Sequence, residues 1–346
     1  MLQVFAKTQP YQSFLDLSQT EDAIELIKQS FPKLLSSAIS LKKVSAPIFV
    51  FKGTGLNDDL NGTERPVGFP LKAMNERQAE VVQSLAKWKR LRLHQLAIPE
   101  GKGIITDMRA LRPDEDLSPI HSIYVDQWDW EKHIGRADRS IAYLQKSVQA
   151  IYEATRRMEQ QIALEYPSIQ PILPEEIFFI SAQDLAHKYP ELDAKARENQ
   201  IAKEYGAVFI MGIGGDLESG EPHDGRAPDY DDWSSLNEQG FKGLNGDIVV
   251  WNEVLGRAFE LSSMGIRVDK AALAHQLKVR DCEARAELDF HQQILQETLP
   301  LSMGGGIGQS RLCMFLLRKA HIGEVQVSSW PEAVIEETKQ QGILLM

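Results

Sequence analysis

Four glycines in five positions, Gly304-Gly305-Gly306-Ile307-Gly308, constrain this chain more than any other stretch. A backbone without Cβ atoms turns sharply and lets a neighbour approach closely. Gln309-Ser310-Arg311 follows, and then the apolar run Leu312, Cys313, Met314, Phe315, Leu316 and Leu317, which reads as a buried helix. A glycine turn that opens a helix points unpaired N–H groups outward, and these suit a phosphate or a nucleotide. The helix dipole mildly disfavours a cation in the first turn, so Arg311 needs another reason to stand there. On this segment alone two readings are open. One is an arginine held against a nucleotide; the other is a glycine-rich turn beside a surface arginine.

Bulk properties narrow the field. A chain of 346 residues, 43% of them hydrophobic, can bury a sizeable core. We expect one domain over residues 1–346, with residues 1–17 as a peripheral N-terminal extension. A net charge of −11 argues against a general nucleic-acid binder, which needs a basic face. Two cysteines, Cys282 and Cys313, give neither a disulfide framework nor a cysteine zinc site. No apolar run approaches membrane-spanning length, and the first residues lack a secretory pattern. The expectation is a cytoplasmic protein with no membrane partner.

Periodicity predicts the elements. Ser18 to Glu21 reads as a capping box, and Ile24, Ile27 and Phe31 form an apolar helix stripe ahead of Pro32. Val44–Val50 reads as a strand interrupted by Pro47, hence an edge or an interface. Asn57 to Gly68 is a polar loop, Ala79 to Gln83 a short strand, and Ser84 a helix cap. Ile105 to Glu131 holds two strands whose connector, Pro113 to Pro119, is too short for a parallel crossover, so the pair is antiparallel. Val125, Gln127 and Asp129 share one face of the second strand. Leu144 to Ile162 forms a long amphipathic helix, and Gly206 closes a later one. Strands follow at Ala207 to Ile213, Asp247 to Trp251 and Ala258 to Val268, with helical segments over Lys270–Lys278 and Glu283–Leu299. Strands that pair with sequence neighbours, and helices in blocks, mean α+β with an antiparallel sheet flanked by helices.

Five phrases carry more than pattern: Ser84-Leu-Ala-Lys-Trp-Lys-Arg90, Ala110-Leu-Arg-Pro-Asp-Glu-Asp116, Tyr124-Val-Asp-Gln-Trp-Asp-Trp-Glu131, Arg226-Ala-Pro-Asp-Tyr-Asp-Asp-Trp-Ser-Ser235 and Phe259-Glu-Leu-Ser-Ser-Met-Gly-Ile-Arg-Val268. In this order they resemble the aspartate–ammonia ligases, the ammonia-dependent asparagine synthetases. Arg112 and Arg311 lie in segments similar to motifs 2 and 3 of class II aminoacyl-tRNA synthetases, and the Pro47 segment resembles motif 1. The resemblance runs from about Ala46 to Pro331. It implies a class II synthetase-like catalytic fold and a ligase that makes asparagine from aspartate, ammonia and ATP through a β-aspartyl-AMP, releasing AMP and pyrophosphate. It also implies a homodimer through motif 1, with ATP and Mg²⁺ as the reaction's companions.

The same resemblance assigns roles. Lys89 and Arg267 would hold the substrate carboxylate; a guanidinium grips a carboxylate with two parallel bonds. Ser84, Gln127 and Asp129 would accept the α-amino group. Arg112 and Arg311 would clamp ATP from opposite sides, with Glu115, His121, Gly306 and Gly308 completing the nucleotide contacts. Asp247 and Glu260 would hold magnesium, with Ser263 nearby. Asp58 or its neighbour Asp59 would take the proton from ammonium, in a site also lined by Arg226 and Asp231. Local pattern leaves plainer alternatives open. Lys87, Lys89 and Arg90 read equally as a solvated helix face, Asp58 as a turn former, and His121 as a solvated loop histidine. Gln127 with Asp129, and Asp247 with Glu260, read equally as charges on exposed sheet faces. Two rival functions also follow. A tRNA synthetase is disfavoured by the acidic charge and by only about forty residues ahead of motif 1, too few for an anticodon-binding domain. An amino-acid sensor would have no use for Arg112, Asp247, Glu260 and Arg311. Leu2 leaves no N-terminal cysteine nucleophile for a glutamine-dependent route.

Overall fold

The computed structural model describes residues 11–58, 60 and 64–346. Residues 1–10 and Asp59 therefore lie outside the described residues. Along the chain the elements are α1 (Leu17–Ile39), β1 (Leu41–Lys43), β2 (Phe49–Phe51), β3 (Gly68–Leu71), β4 (Arg77–Val81), α2 (Ala86–Gln95), β5 (Gly103–Leu111) and β6 (Tyr124–His133). Then come α3 (Ile141–Glu165), β7 (Phe178–Ser181), α4 (Ala182–Lys188), α5 (Ala194–Tyr205), β8 (Ala207–Met211), β9 (Asn245–Asn252) and β10 (Arg257–Ile266). The last are α6 (Lys270–Val279), α7 (Asp289–Leu295), β11 (Ser302–Gly308), α8 (Gln309–Leu316) and α9 (Glu332–Gln340).

An eight-stranded sheet in the order β1-β5-β6-β11-β10-β9-β8-β7 forms the scaffold. Its six central strands are antiparallel neighbours, and the short connectors of β5 to β6 and of β9 to β10 require this of those two pairs. The two outer pairs, β1 with β5 and β7 with β8, are parallel, so the sheet is mixed. Each parallel pair is joined through helix-bearing crossovers, which the neighbour-pairing pattern did not reveal.

One sheet face is covered by α1, α3 and α8. Phe31, Leu35, Val148, Met158 and Phe315 pack there against Trp128, Trp130, Phe259 and Met303. The strand period of two sends Trp128 and Trp130 into this core and turns Gln127, Asp129 and Glu131 to the opposite face. On that face each of the three stands opposite a glycine of β11: Gln127 opposite Gly308, Asp129 opposite Gly306, and Glu131 opposite Gly304.

This register corrects the reading of the glycine run. It is a central strand, not a turn. None of Gly304, Gly305, Gly306 or Gly308 has a positive φ. What these positions need is room. A Cβ on Gly304 would collide with Glu131 Oε2, and one on Gly306 would stand 2.5 Å from Gln127 Oε1.

Other boundaries also move. The cap of α1 is Asp16, boxed with Gln19, rather than Ser18 with Glu21. That helix continues through Pro32 to Ile39, because its packed face outweighs one lost backbone bond. Val44–Val50 is not one strand. Pro47 lies between β1 and β2, where no ladder asks it for a donor. Ser84 precedes α2 by two residues, and its Oγ accepts from Ala86 N at 3.3 Å instead of capping the helix. Glu283–Leu299 splits into a 3₁₀ turn (Glu283–Glu287) and α7.

Gly304→Ala is expected to destabilise the fold by about 1–3 kcal/mol, the range for overpacking a tight site. Chemical denaturation measures it, and an unchanged midpoint would contradict the crowding assigned to this strand.

Candidate active site

The polar face of the sheet is roofed by α2. Its basic residues are not a solvated face: Lys87, Lys89 and Arg90 are all buried. Lys89 Nζ bonds Asp129 Oδ1 and donates to the Gly305 carbonyl at 2.9 Å. Burial pushes the Lys89 pKa down, while Asp129 beside it favours the charged form. Arg267, just past the end of β10, donates to Glu131 from Nε at 3.0 Å and from Nη2 at 2.9 Å. Its Nη1 bonds Asp231 Oδ1. Ser302 Oγ closes the group by donating to Glu131 Oε1 at 2.7 Å. Two cations thus meet three carboxylates, and Asp129 Oδ2 is buried without a hydrogen-bond partner. A buried acceptor left open in this way is costly unless something arrives to fill it.

A cavity of about 510 Å³ opens over this group and continues to the second arginine pair. Every residue singled out from the sequence borders it except Asp247, with Asp59 outside the described residues. At one end stand Ser84, Lys89, Gln127, Asp129, Asp231 and Arg267. Arg112, Glu115, His121, Gly308 and Arg311 line the other end, joined by Glu260. Asp58, Arg226, Ser263 and Gly306 complete the wall.

The arginines of the far end are loosely held. Arg112 reaches Gln83 O at 3.4 Å and Glu115 at 3.7 Å. Arg311 rests on Glu260, with Nη1 at 3.3 Å from its carbonyl and 3.5 Å from its carboxylate. His121 is fixed by a Ser118 Oγ contact to its Nδ1 at 2.8 Å. Burial, with Arg311 nearby, pushes its pKa down to about 4, so it is neutral at pH 7. Asp247 lies behind Arg226, whose Nη2 bonds its Oδ1 and also donates to Ser263 Oγ at 3.0 Å. Burial pushes Asp247 up to about 6; Arg226 opposes this, and the charge of Glu260 adds to it.

Asp58 is buried at the cavity wall and accepts from Ser84 Oγ at 2.7 Å. It is a turn former as well, since its Oδ1 accepts from Leu60 N at 3.0 Å, but the turn is buried rather than solvated. Burial raises its pKa, against the charge of Lys87 and the Ser84 hydroxyl.

Comparison with known proteins places the chain in a family. The aspartate–ammonia ligase family model matches residues 18–342. The chain belongs to the aspartate–ammonia ligase family. It is 55% identical over 336 residues to an aspartate–ammonia ligase of Parabacteroides distasonis, covering 97% of each chain. It is 53% identical to one from Clostridium perfringens, again over 97% of both. Among solved structures it resembles Entamoeba histolytica asparaginyl-tRNA synthetase in complex with asparaginyl-adenylate, with a TM-score of 0.64 at 15% identity, covering 91% of this chain and 68% of that one. The Pyrococcus horikoshii asparaginyl-tRNA synthetase complex is similar at a TM-score of 0.63 and 14% identity, covering 91% and 70%. At that identity the likeness is one of fold, and it gives this ligase-family chain the class II synthetase catalytic fold.

Two cavity-side residues of this family member escaped the sequence reading. Glu131 ends a quoted phrase and continues the period of Gln127 and Asp129, so strand alternation alone marks it. Tyr230 lines the cavity between Asp229 and Asp231. No local signal points to it, since a loop has no period. Burial and the Asp58 and Asp231 charges hold its phenol well above the usual range, hence neutral.

Glu131→Gln removes one partner of a buried ion pair, a change that typically costs about 3–5 kcal/mol. Asp231 still neutralises Arg267, so the expected loss lies near the lower bound. Urea unfolding of the variant checks this, and wild-type stability would show that the pair holds nothing together.

Proposed function

We propose that this ligase activates aspartate as a β-aspartyl-AMP and then lets ammonia displace the AMP. In the first step a carboxylate oxygen of the substrate attacks the α-phosphorus of ATP and pyrophosphate leaves. In the second, ammonia attacks the acyl carbon, AMP leaves, and a proton passes to the enzyme. The products are asparagine, AMP and pyrophosphate. The observation that carries this reading is the shared cavity. One end holds Lys89 and Arg267 among carboxylates, and the other holds Arg112 and Arg311 with few competing bonds.

The chemistry follows the charges. The open Asp129 Oδ2, with Gln127 and Ser84, suits an α-ammonium. Lys89 and the remaining N–H groups of Arg267 suit the substrate carboxylates, and an uncharged amide would leave them underused. Arg112 and Arg311 stabilise the charge that gathers on the phosphates during displacement. Glu115, neutral His121, Gly306 and Gly308 border the nucleotide. Glu260 and Asp247 offer hard oxygens for a magnesium ion arriving with ATP. When bound, that ion neutralises phosphate charge. Among the described residues no group of three or more acidic, histidine or cysteine side chains forms a metal cage, so phosphates and water would complete its shell.

Asp58 takes the proton of ammonium, within reach of Asp231 and Arg226 on the same wall. We also propose that residues 1–346 act as one catalytic domain and as a homodimer through the Pro47 segment. Edge strand β1 and Ile48, 60% exposed, support a covered face there. No helix among the described residues is long and apolar enough to cross a membrane, and neither cysteine is in a disulfide. A reducing cytoplasm suits such a chain.

Purified protein with ATP, Mg²⁺, aspartate and ammonium is expected to yield asparagine and AMP in equal amounts. AMP release without asparagine would overturn the reading. Arg267→Lys loses the bidentate grip and should weaken aspartate by roughly 1.5–3 kcal/mol while leaving ATP affinity near wild type. Titration of each substrate separates the two effects, and equal weakening of both would reject the assignment. Asp58→Ala should still form the adenylate in a single turnover and lose most of the ammonia step. A variant that cannot make the adenylate would place Asp58 in the first step instead.

A further inference from the structure

Behind Asp58 lies a buried charged cluster that the reaction as described does not use. Lys87 Nζ sits 3.0 Å from Asp229 Oδ2. His291 Nε2 donates to the same oxygen at 2.9 Å, and Arg285 Nη1 approaches it at 3.3 Å. Lys87, Asp229 and His291 are 2%, 1% and 0% exposed. An ion pair buried this deeply is a poor source of stability, since desolvation offsets most of the attraction. It invites a functional reason.

The members come from separate elements, and two of these, α2 and the 226–235 loop, also line the cavity that Asp58 borders. Lys87 lies on α2, between Ser84 and Lys89. Asp229 is in the loop that bears Arg226, Tyr230 and Asp231. His291, on α7, presses against the turn that leads to Asp58. A Cβ on Gly55 would stand 2.9 Å from His291 Nδ1, and Phe290 N donates to Thr54 O at 3.3 Å. Asp58 is tied to the same assembly through Ser84.

We infer that the Lys87–Asp229–His291 cluster is a positioning device for the ammonia step: it locks the turn carrying Asp58 against α2 and the acidic loop, and its charges set the field in which Asp58 exchanges its proton. This rests on the ammonium role proposed for Asp58. The groups facing Asp58 are Lys87 from α2, Ser84 from the segment just before it, Asp229 and Tyr230 from the acidic loop, and the Leu60 N–H of its own turn. Arg285 and His291 act from behind, through Asp229. Lys87 favours the Asp58 carboxylate and Asp229 disfavours it, so removing either charge has an opposite consequence. Asp229 itself is held well below the usual carboxylate range, since Lys87 and His291 outweigh its burial. It stays ionised across neutral pH.

The test is the pH dependence of asparagine formation at limiting ammonium and saturating ATP and aspartate. Wild type should lose activity as pH falls through the Asp58 pKa. Lys87→Met should move that acid limb to higher pH by about one unit, and Asp229→Asn should move it to lower pH. Both should keep aspartate-dependent adenylate formation within about threefold of wild type. A double variant, Lys87→Met with Asp229→Asn, leaves no unpaired buried charge and should bring the limb back towards wild type. It serves if either single variant fails to fold, because its limb still compares with that of His291→Gln, which breaks the lock but keeps the charge pair. His291→Gln should raise the KM for ammonium at least fivefold with the limb in place. Limbs that stay fixed in the Lys87 and Asp229 variants, or a His291→Gln variant with wild-type ammonium KM, would overturn the inference. An Asp58→Asn enzyme that retains the wild-type limb would instead overturn the role of Asp58, and this inference with it.

Discussion

Two buried cations against three buried carboxylates, laid over a row of glycines, set the terms for this molecule. Lys89 and Arg267 cannot stand in the interior unpaired, and Asp129, Glu131 and Asp231 cannot either. Each group is therefore fixed by the others. The glycines of β11 make the arrangement sterically possible, because any side chain at Gly304 would occupy the volume of the Glu131 carboxylate. The sheet is held together elsewhere by ordinary apolar packing on its far face, around Trp128, Trp130 and Phe259. One surface supplies stability, and the other carries the strained electrostatics that chemistry needs.

This division explains the contrast between the two ends of the cavity. The end proposed for the amino acid is preorganised, with short contacts, full burial and one carboxylate oxygen held open. The end proposed for the nucleotide is looser: Arg112 and Arg311 make only long contacts and keep donors available. A pocket that must distinguish aspartate from a near-isosteric amide gains from rigidity, because selectivity follows from leaving charged groups unsatisfied by the wrong guest. An arginine that must follow a phosphate through displacement gains from having few prior commitments.

The chain taken alone went far toward this picture wherever a period or a long phrase carried the signal. The alternation in Tyr124–Glu131 put Gln127 and Asp129 on one face, and helical spacing placed α3. Arg112 and Arg267 were reached through family phrases, Arg311 through the segment similar to motif 3, and Asp58 through its match to an acidic loop position of the family. Local pattern alone would have put Lys87, Lys89 and Arg90 in water. They are inside, because Asp129 of β6 meets Lys89, Asp229 of the 226–235 loop meets Lys87, and the Pro300 and Val268 carbonyls accept from Arg90; such partners are invisible at short range.

Amino-acid order thus determined which residues share a face, which segments are strands or helices, and which family the chain joins, since all three follow from local periodicity and motif. Tertiary structure alone decided that the glycine run is a central strand rather than a phosphate-binding turn, that the outer strand pairs are parallel, and that Lys87, Asp229 and His291 converge behind Asp58. The reason is physical: burial and pairing are set by partners tens to hundreds of residues away, and a charge is inside or outside according to what lies across from it, not beside it.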